Sequence, residues 1–335
     1  MKFSTQRTFF PKLVTVTLLA GVWNILPMEL QAAEPDGTTS ALNGQKSFAS
    51  PDDAVAALRA AAEAKDQSAL QDIFGPEFKH LSTGDTVQDA NNAQRFATVM
   101  AQGCRQVKES DDTITLEVGT NDWPMPIPLV KADGQWHFDT AAGQEEIINR
   151  HIGKDEIKAI SVCRAYVTAQ RQFAGMNQNA DGGPRYALKF KSSSGKKDGL
   201  YWPSADGESG SPFGPLVAES HVEGFSHGNS TGLHAFHGYF FRILTRQGEA
   251  APGGKMNYLT DGNLTKGFAL VAYPEKWDKS GVMTFIVNQD GKVFQRSLGE
   301  KTAKIAGSMK EYNPNPDDGW TLVEDQGELD AVSEK

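Results

Sequence analysis

IPLVKADGQWHFDTAAG, residues 127–143, runs from an apolar stretch through a turn ending in Asp-Gly to a second alternating stretch. TFIVNQDGKVFQRSLGE, residues 284–300, has the same layout. Asp-Gly between such stretches signals a hairpin, because the favoured two-residue turn needs positive φ at both central positions. Helical periodicity precedes each hairpin in its own half of the chain. The fold class that follows is α+β in two domains, 48–145 and 146–312, each with helices packed on an antiparallel sheet. Asp-Gly is common enough that two hairpins can also resemble each other without a shared design.

Outward from the first hairpin, Ser50 is placed to cap a helix with Pro51 at its first position and Asp53 at its third. Ala54, Val55, Leu58, Ala61 and Ala62 form its apolar stripe. A second helix is expected over 66–74, stopped by Gly75-Pro76, and a third over 89–102. The alternation of Ile114, Leu116 and Val118 predicts a strand over 113–118, and the hairpin supplies strands over 126–131 and 135–139. In WPMPIP, residues 123–128, proline takes every second position, so one side of the segment lacks N–H donors. This suits a protected edge strand; a polyproline ligand is the other reading of the run.

In the second half, residues 144–151 are weakly helical and end at Gly153. Asp155 is then placed to cap a long helix reaching 173, with Ile157, Ile160, Cys163, Val167 and Phe173 along one side. Residues 177–233 form a long Gly/Pro-rich insertion in which short strands, such as 186–190, are expected. Strands follow over 237–245, 267–273, 282–288 and 292–297, then a helix over 300–309. Residues 34–47 read as a flexible polar leader and residues 313–335 as a disordered, Pro-rich then acidic tail.

Residues 1–33 have the layout of a secretory signal peptide. Lys2, Arg7 and Lys12 precede an apolar stretch, residues 13–26, that is too short and too polar to span a bilayer comfortably. Ala32 and Ala33 offer small residues for cleavage; an uncleaved N-terminal anchor is the alternative. The expected location is the periplasm, or outside the cell, with no membrane span after processing. The chain carries 33 Lys plus Arg against 42 Asp plus Glu, a net charge of -9. That excludes a basic nucleic-acid binder and an anionic-lipid patch on electrostatic grounds. Cys104 and Cys163 are the only thiols. In an oxidising compartment they are a disulfide candidate, worth about 4 kcal/mol for a loop of that length; two separately buried thiols are the other reading.

Catalytic patterns fail on context. His221, His227, His234 and His237 crowd one stretch with Glu223, but at no familiar metal spacing, so no metal is expected. GNSTG, residues 228–232, matches G-x-S-x-G without the strand before it and helix after it that a nucleophile elbow needs. Residues 193–197 fit S-x-x-K inside a polar loop, with no S-D-N or K-T-G partner. No P-loop or G-x-G-x-x-G is present, and no cofactor is expected. Aromatic rings crowd the region 201–241. Tyr201, Trp202, Phe213, His237 and Tyr239 are the candidate binding residues for a cell-wall or peptide ligand or a partner chain. Simple packing of the insertion onto the sheet is the alternative for those rings.

GLYWP (199–203), SPFGPL (211–216), HGYFFRIL (237–244), GFALVAYP (267–274) and SGVMTFIVN (280–288) followed by Asp290-Gly291 resemble a bacterial exported family, domain of unknown function 2950. The first half, from FASP (48–51) through WHFDT (136–140), is similar to it as well. The resemblance implies export and a shared fold, and it carries no established activity, substrate or catalytic residue. The expected function is a non-enzymatic binding or envelope assembly-accessory protein of pilotin-like type, with an envelope protein as partner. The alternative is a cell-wall or peptide hydrolase with a site in the 199–241 region.

Overall fold

Ser50 opens the first helix in the computed structural model, which describes residues 44–81, 86–178, 182–203, 210–214 and 235–324. Its Oγ accepts from the Asp53 N–H at 3.2 Å and its hydroxyl donates to the Asp53 carboxylate at 2.7 Å, closing α1 (Pro51–Ala64) at the expected end. Asp66 does the same for α2 (Gln67–Phe74), its Oδ1 accepting from the Ser68 and Ala69 N–H groups at 3.0 Å. A third helix, α3 (Thr86–Gln102), follows.

Five strands then form an antiparallel sheet: β1 (Cys104–Lys108), β2 (Thr113–Val118), β3 (Trp123–Pro124), β4 (Leu129–Ala132) and β5 (Gln135–Phe138). Their order is β1-β2-β4-β5, and β3 also pairs with β2. The β4–β5 turn is Asp133-Gly134, with φ of 49° and 77°, the conformation its sequence predicts. The strand expected over 126–131 begins only at Leu129, and a separate short strand, β3, precedes it. β3 and β4 both pair with β2, and Pro126 and Pro128 between them have no N–H to give. Leu58, Phe74, Met100, Leu116, Leu129 and Phe138 fill the core beneath this sheet.

Residues 140–176 form one helix, α4 (Thr140–Met176). This corrects the expected stop at Gly153 and the expected cap at Asp155. The cap is Asp139, whose Oδ1 accepts from the Ala142 N–H at 3.0 Å. At 37 residues, α4 is about 55 Å long at 1.5 Å per residue. Its first turn packs on the first core: a Cβ at Gly143 would lie 2.4 Å from the Ile127 side chain. Arg150 holds it there too, donating to the Pro124 carbonyl at 2.7 Å and lying over the Trp123 ring. Its second half, from Ala159 to Phe173, belongs to a second core. The division expected at 145/146 therefore falls inside a continuous helix, and the described residues belong to one compact unit.

The second sheet is antiparallel in the order β15-β13-β12-β11-β6. Its strands lie among shorter ones: β6 (Tyr239–Leu244), β7 (Arg246–Gln247), β8 (Met256–Asn257), β9 (Leu259–Thr260), β10 (Asn263–Leu264), β11 (Ala269–Pro274), β12 (Met283–Asn288) and β13 (Phe294–Ser297). Helix α5 (Thr302–Ser308), β14 (Glu311–Tyr312) and β15 (Thr321–Leu322) complete it. Every residue of β11 is buried, as befits a strand covered on both faces. β14 runs parallel to β7, the exception to the antiparallel pattern. Residues 186–190 form no strand; Tyr186 makes a single bridge to Leu264. Part of the tail is ordered: Trp320 is buried and β15 pairs with β13, so burial of an indole outweighs the polar composition around it. No helix among the described residues is long and apolar enough to cross a membrane.

Candidate functional site

Asp155 sits where the buried stripe of α4 calls for an apolar side chain. Ile152, Ala159, Val162 and Tyr166 are buried on that stripe, and Asp155 is only 5% exposed among them. The space for it comes from Gly238, in the left-handed region at φ 68°: a Cβ there would lie 2.5 Å from Asp155 Oδ2 and 2.8 Å from Ser280 Cβ. Three segments thus converge on one carboxylate: α4, the turn leading into β6 and the loop leading into β12. His151, one turn back on α4, brings Nε2 to 3.2 Å from Oδ2. The contact is close enough for an ion pair when the imidazole is protonated but is not aligned as a hydrogen bond, and Oδ2 is buried with no hydrogen-bond partner among the described residues. Burial holds the Asp155 carboxyl above the usual carboxylate range, against the pull of His151 and Lys154.

The neighbouring Glu156 reaches the same loop. Its Oε1 accepts from the Val282 and Met283 N–H groups at 2.8 and 2.9 Å, holding the head of β12 on the helix. Tyr239, at the head of β6, donates its phenol to the Met283 carbonyl at 2.9 Å. Burial, and then the charges of Glu156 and Asp155, push that phenol far above its ordinary range, so it remains a donor. Of the adjacent acids on α4, Glu156 therefore grips the start of β12, and Asp155 packs beneath the turn leading into β6.

On its other flank Glu156 lines a groove of about 570 Å³. One wall is α4, with Ile157, Ile160 and Arg164; the other is the sheet edge, with Gln295, Thr321, Leu322 and Glu324. Ile157 and Leu322 are 37% and 49% exposed, high for apolar side chains on a folded surface.

Of the five residues the sequence marks for binding, Trp202, Phe213 and Tyr239 are buried in the second core, Tyr201 is half-buried and His237 is exposed. Phe213 packs near Phe190, with ring centroids 6.0 Å apart, and Lys197 lies over Trp202. Of the five, Tyr239 is the one whose electrostatics tie it to Asp155 and Glu156. Of the S-x-x-K residues, Ser193 is tied to Asp198 through its N–H at 2.8 Å and its hydroxyl at 3.2 Å. His221, His227, His234, Glu223, Phe225 and the GNSTG run lie outside the described residues. Among the described residues, no group of three or more His, Cys, Asp and Glu is placed to hold a metal.

The disulfide expectation is corrected. Cys104 and Cys163 are both free. Cys104, on β1, packs half-buried against the first core, whereas Cys163 lies fully buried within the second. Each thiol has its own apolar surroundings, so the pair cannot meet without dismantling one of them. His151, Asp155 and Glu156 are the site residues that sequence reasoning missed. The signal was there: stepping back four positions from Ala159 along the stripe lands on Asp155.

The family described as protein of unknown function (DUF2950) matches over residues 45–323, and the chain belongs to it. No curated protein and no solved structure matches the chain.

Proposed function

We propose that this DUF2950 protein is an exported, periplasmic binding protein that acts as a pilotin-like envelope assembly accessory. It seats an extended segment of a partner protein in the groove between α4 and β15. The groove is the observation that carries the reading. Its facing walls expose Ile157 and Leu322 to a guest's apolar side chains, and Glu156, Arg164 and Glu324 rim it with both charges. Among the described residues β15 pairs only with β13, so its outer edge offers backbone groups to an added strand. Export is supported by the layout of residues 1–33.

Site-specific photo-cross-linking tests this. A benzoylphenylalanine at 322 in cells is expected to trap one partner, mapped by mass spectrometry to one extended segment. The same label at the exposed Lys108 is expected to trap none. A synthetic peptide of the mapped segment then binds the wild-type protein and not Ile157→Asp. Equal labelling from both positions, or a mapped peptide that binds both forms alike, ends the reading. Recovery of the chain with residue 1 still attached in the cytosolic fraction ends the periplasmic part.

One observation favours a second reading, a cell-wall or peptide hydrolase using the 199–241 region. Tyr239 of that region feels the charge of a buried carboxylate, Asp155, that has an imidazole beside it, the orienting pair that general-base chemistry uses. It requires purified protein to release soluble fragments from peptidoglycan or a peptide, and His151→Ala to abolish that release.

A further inference from the structure

The Asp155 cluster has the build of a switch. A carboxylate on the buried stripe of a helix, with one oxygen lacking a hydrogen-bond partner, is costly when ionised and inexpensive when neutral. It lies directly under Gly238, where no side chain intervenes, and Ser280 flanks the same glycine, so a change of charge is felt by the heads of β6 and β12. The same helix turn carries Glu156, which holds the Val282 and Met283 N–H groups on one flank and lines the groove on the other.

We propose that Asp155 is a proton-operated latch on the groove: neutral, it lets the heads of β6 and β12 sit tightly on α4, and ionised, it loosens them together with the Glu156 wall. The inference rests on the groove as the binding site and adds its regulation. The titratable and charged groups nearest Asp155 on the elements packed around it are His151, Lys154, Glu156 and Lys158 on α4, His237 and Tyr239 at the head of β6, and Glu275, Lys276, Asp278 and Lys279 on the loop carrying Ser280. His151 and Lys154 favour the ionised form, so they hold the release point down. Because burial raises the Asp155 carboxyl, the folded junction takes up a proton more readily than the unfolded chain does. Its contribution to stability is complete in acid and is lost as pH rises through the folded value. An envelope protein exposed to external acid would thereby keep the groove wall firm as the medium acidifies and loosen it as pH rises.

Hydrogen exchange on the full chain tests the latch without any ligand. Rates are corrected for the intrinsic pH dependence of exchange and read at residues 276–283 from the ordinary carboxylate range up to mildly alkaline pH. In the wild type the Val282 and Met283 amides are expected to lose protection several-fold as pH rises. In Asp155→Asn they are expected to stay protected throughout. His151→Gln is expected to move the wild-type midpoint to higher pH, which serves as the measurement if Asp155→Asn does not fold. Matching profiles for wild type and Asp155→Asn, or an unmoved midpoint in His151→Gln, overturn the latch. Failure of the cross-linking at 322 with the exchange profile intact overturns the groove reading alone.

Discussion

Tyr239 fills the space that a side chain at position 281 would need: a Cβ on Gly281 would lie 2.1 Å from the phenol oxygen and 2.6 Å from Cζ. The ring cannot retreat easily, because it is fully buried and its hydroxyl donates to Met283 O. Gly281→Ala is therefore expected to destabilise by about 1–3 kcal/mol, the usual cost of overpacking. Tyr239→Phe leaves the Met283 carbonyl without its donor and costs about 1 kcal/mol. Removing the hydroxyl relieves the closest part of the clash and leaves the ring carbons, so the double variant is expected to lose somewhat less than the two single losses added together. Urea denaturation of the four proteins at one pH measures this.

The two cores were legible to different depths. Capping at Ser50 and Asp66 and the Asp133-Gly134 hairpin are local signals, and they appear where periodicity places them. The continuity of α4 was hidden because Gly153 looks like a stop. A Cβ there would meet nothing within 4 Å, so the glycine reflects no packing constraint, and tertiary contacts at both ends carry the helix through it. The strand expected from 237 begins instead at Tyr239, because His237 and Gly238 take positive φ of 47° and 68° in the turn that admits Asp155. That turn depends on a contact with residue 155, far away in sequence, which no local pattern contains. The same is true of the groove, whose walls lie on α4 and β15.

The thiols give a direct check on the separation of the cores. Burial pushes Cys163 up to about 12, and it also raises the half-buried Cys104. A thiol reagent at neutral pH is expected to modify Cys104 slowly in the native protein and Cys163 only after denaturation. Reductant is expected to leave the melting temperature unchanged. A titration finding no free thiol in the denatured, unreduced protein would contradict this.

Arg242, on β6, ties α5 to the sheet. Its Nη2 donates to the Ala306 carbonyl at 2.6 Å and also to the Met309 carbonyl, meeting two acceptors at the C-terminal end of that helix. Arg242→Met keeps the half-buried stem and removes both donors. The expected loss is about 2–3 kcal/mol, since hydrogen bonds from a charged donor exceed neutral ones. Arg242→Lys recovers part of it, because one ammonium lacks the planar fork of the guanidinium. Equilibrium unfolding gives the loss, and faster amide exchange within α5 locates it.

His137 and Asp155 should bend the pH–stability curve in opposite directions. His137, on β5, has a buried Nδ1 with no hydrogen-bond partner among the described residues, and burial pulls the imidazole below its ordinary 6.5, against the pull of Asp139. The folded chain thus disfavours the imidazolium. This contribution to stability is present above the unfolded value and is lost as pH falls through it toward the lower folded value. Asp155 has the opposite sign, its contribution fading as pH rises through a folded value above the usual carboxylate range. His137→Gln is expected to flatten the fall toward acid pH and leave the Asp155 fall with rising pH as it was. Asp155→Asn is expected to flatten only the fall that accompanies rising pH through the folded carboxyl value. Urea midpoints measured every half unit or so across mildly acid to mildly alkaline pH separate the two, since the residues lie in different halves of the fold and their effects should add. An acid limb insensitive to His137→Gln would mean that protonation elsewhere opens the first core.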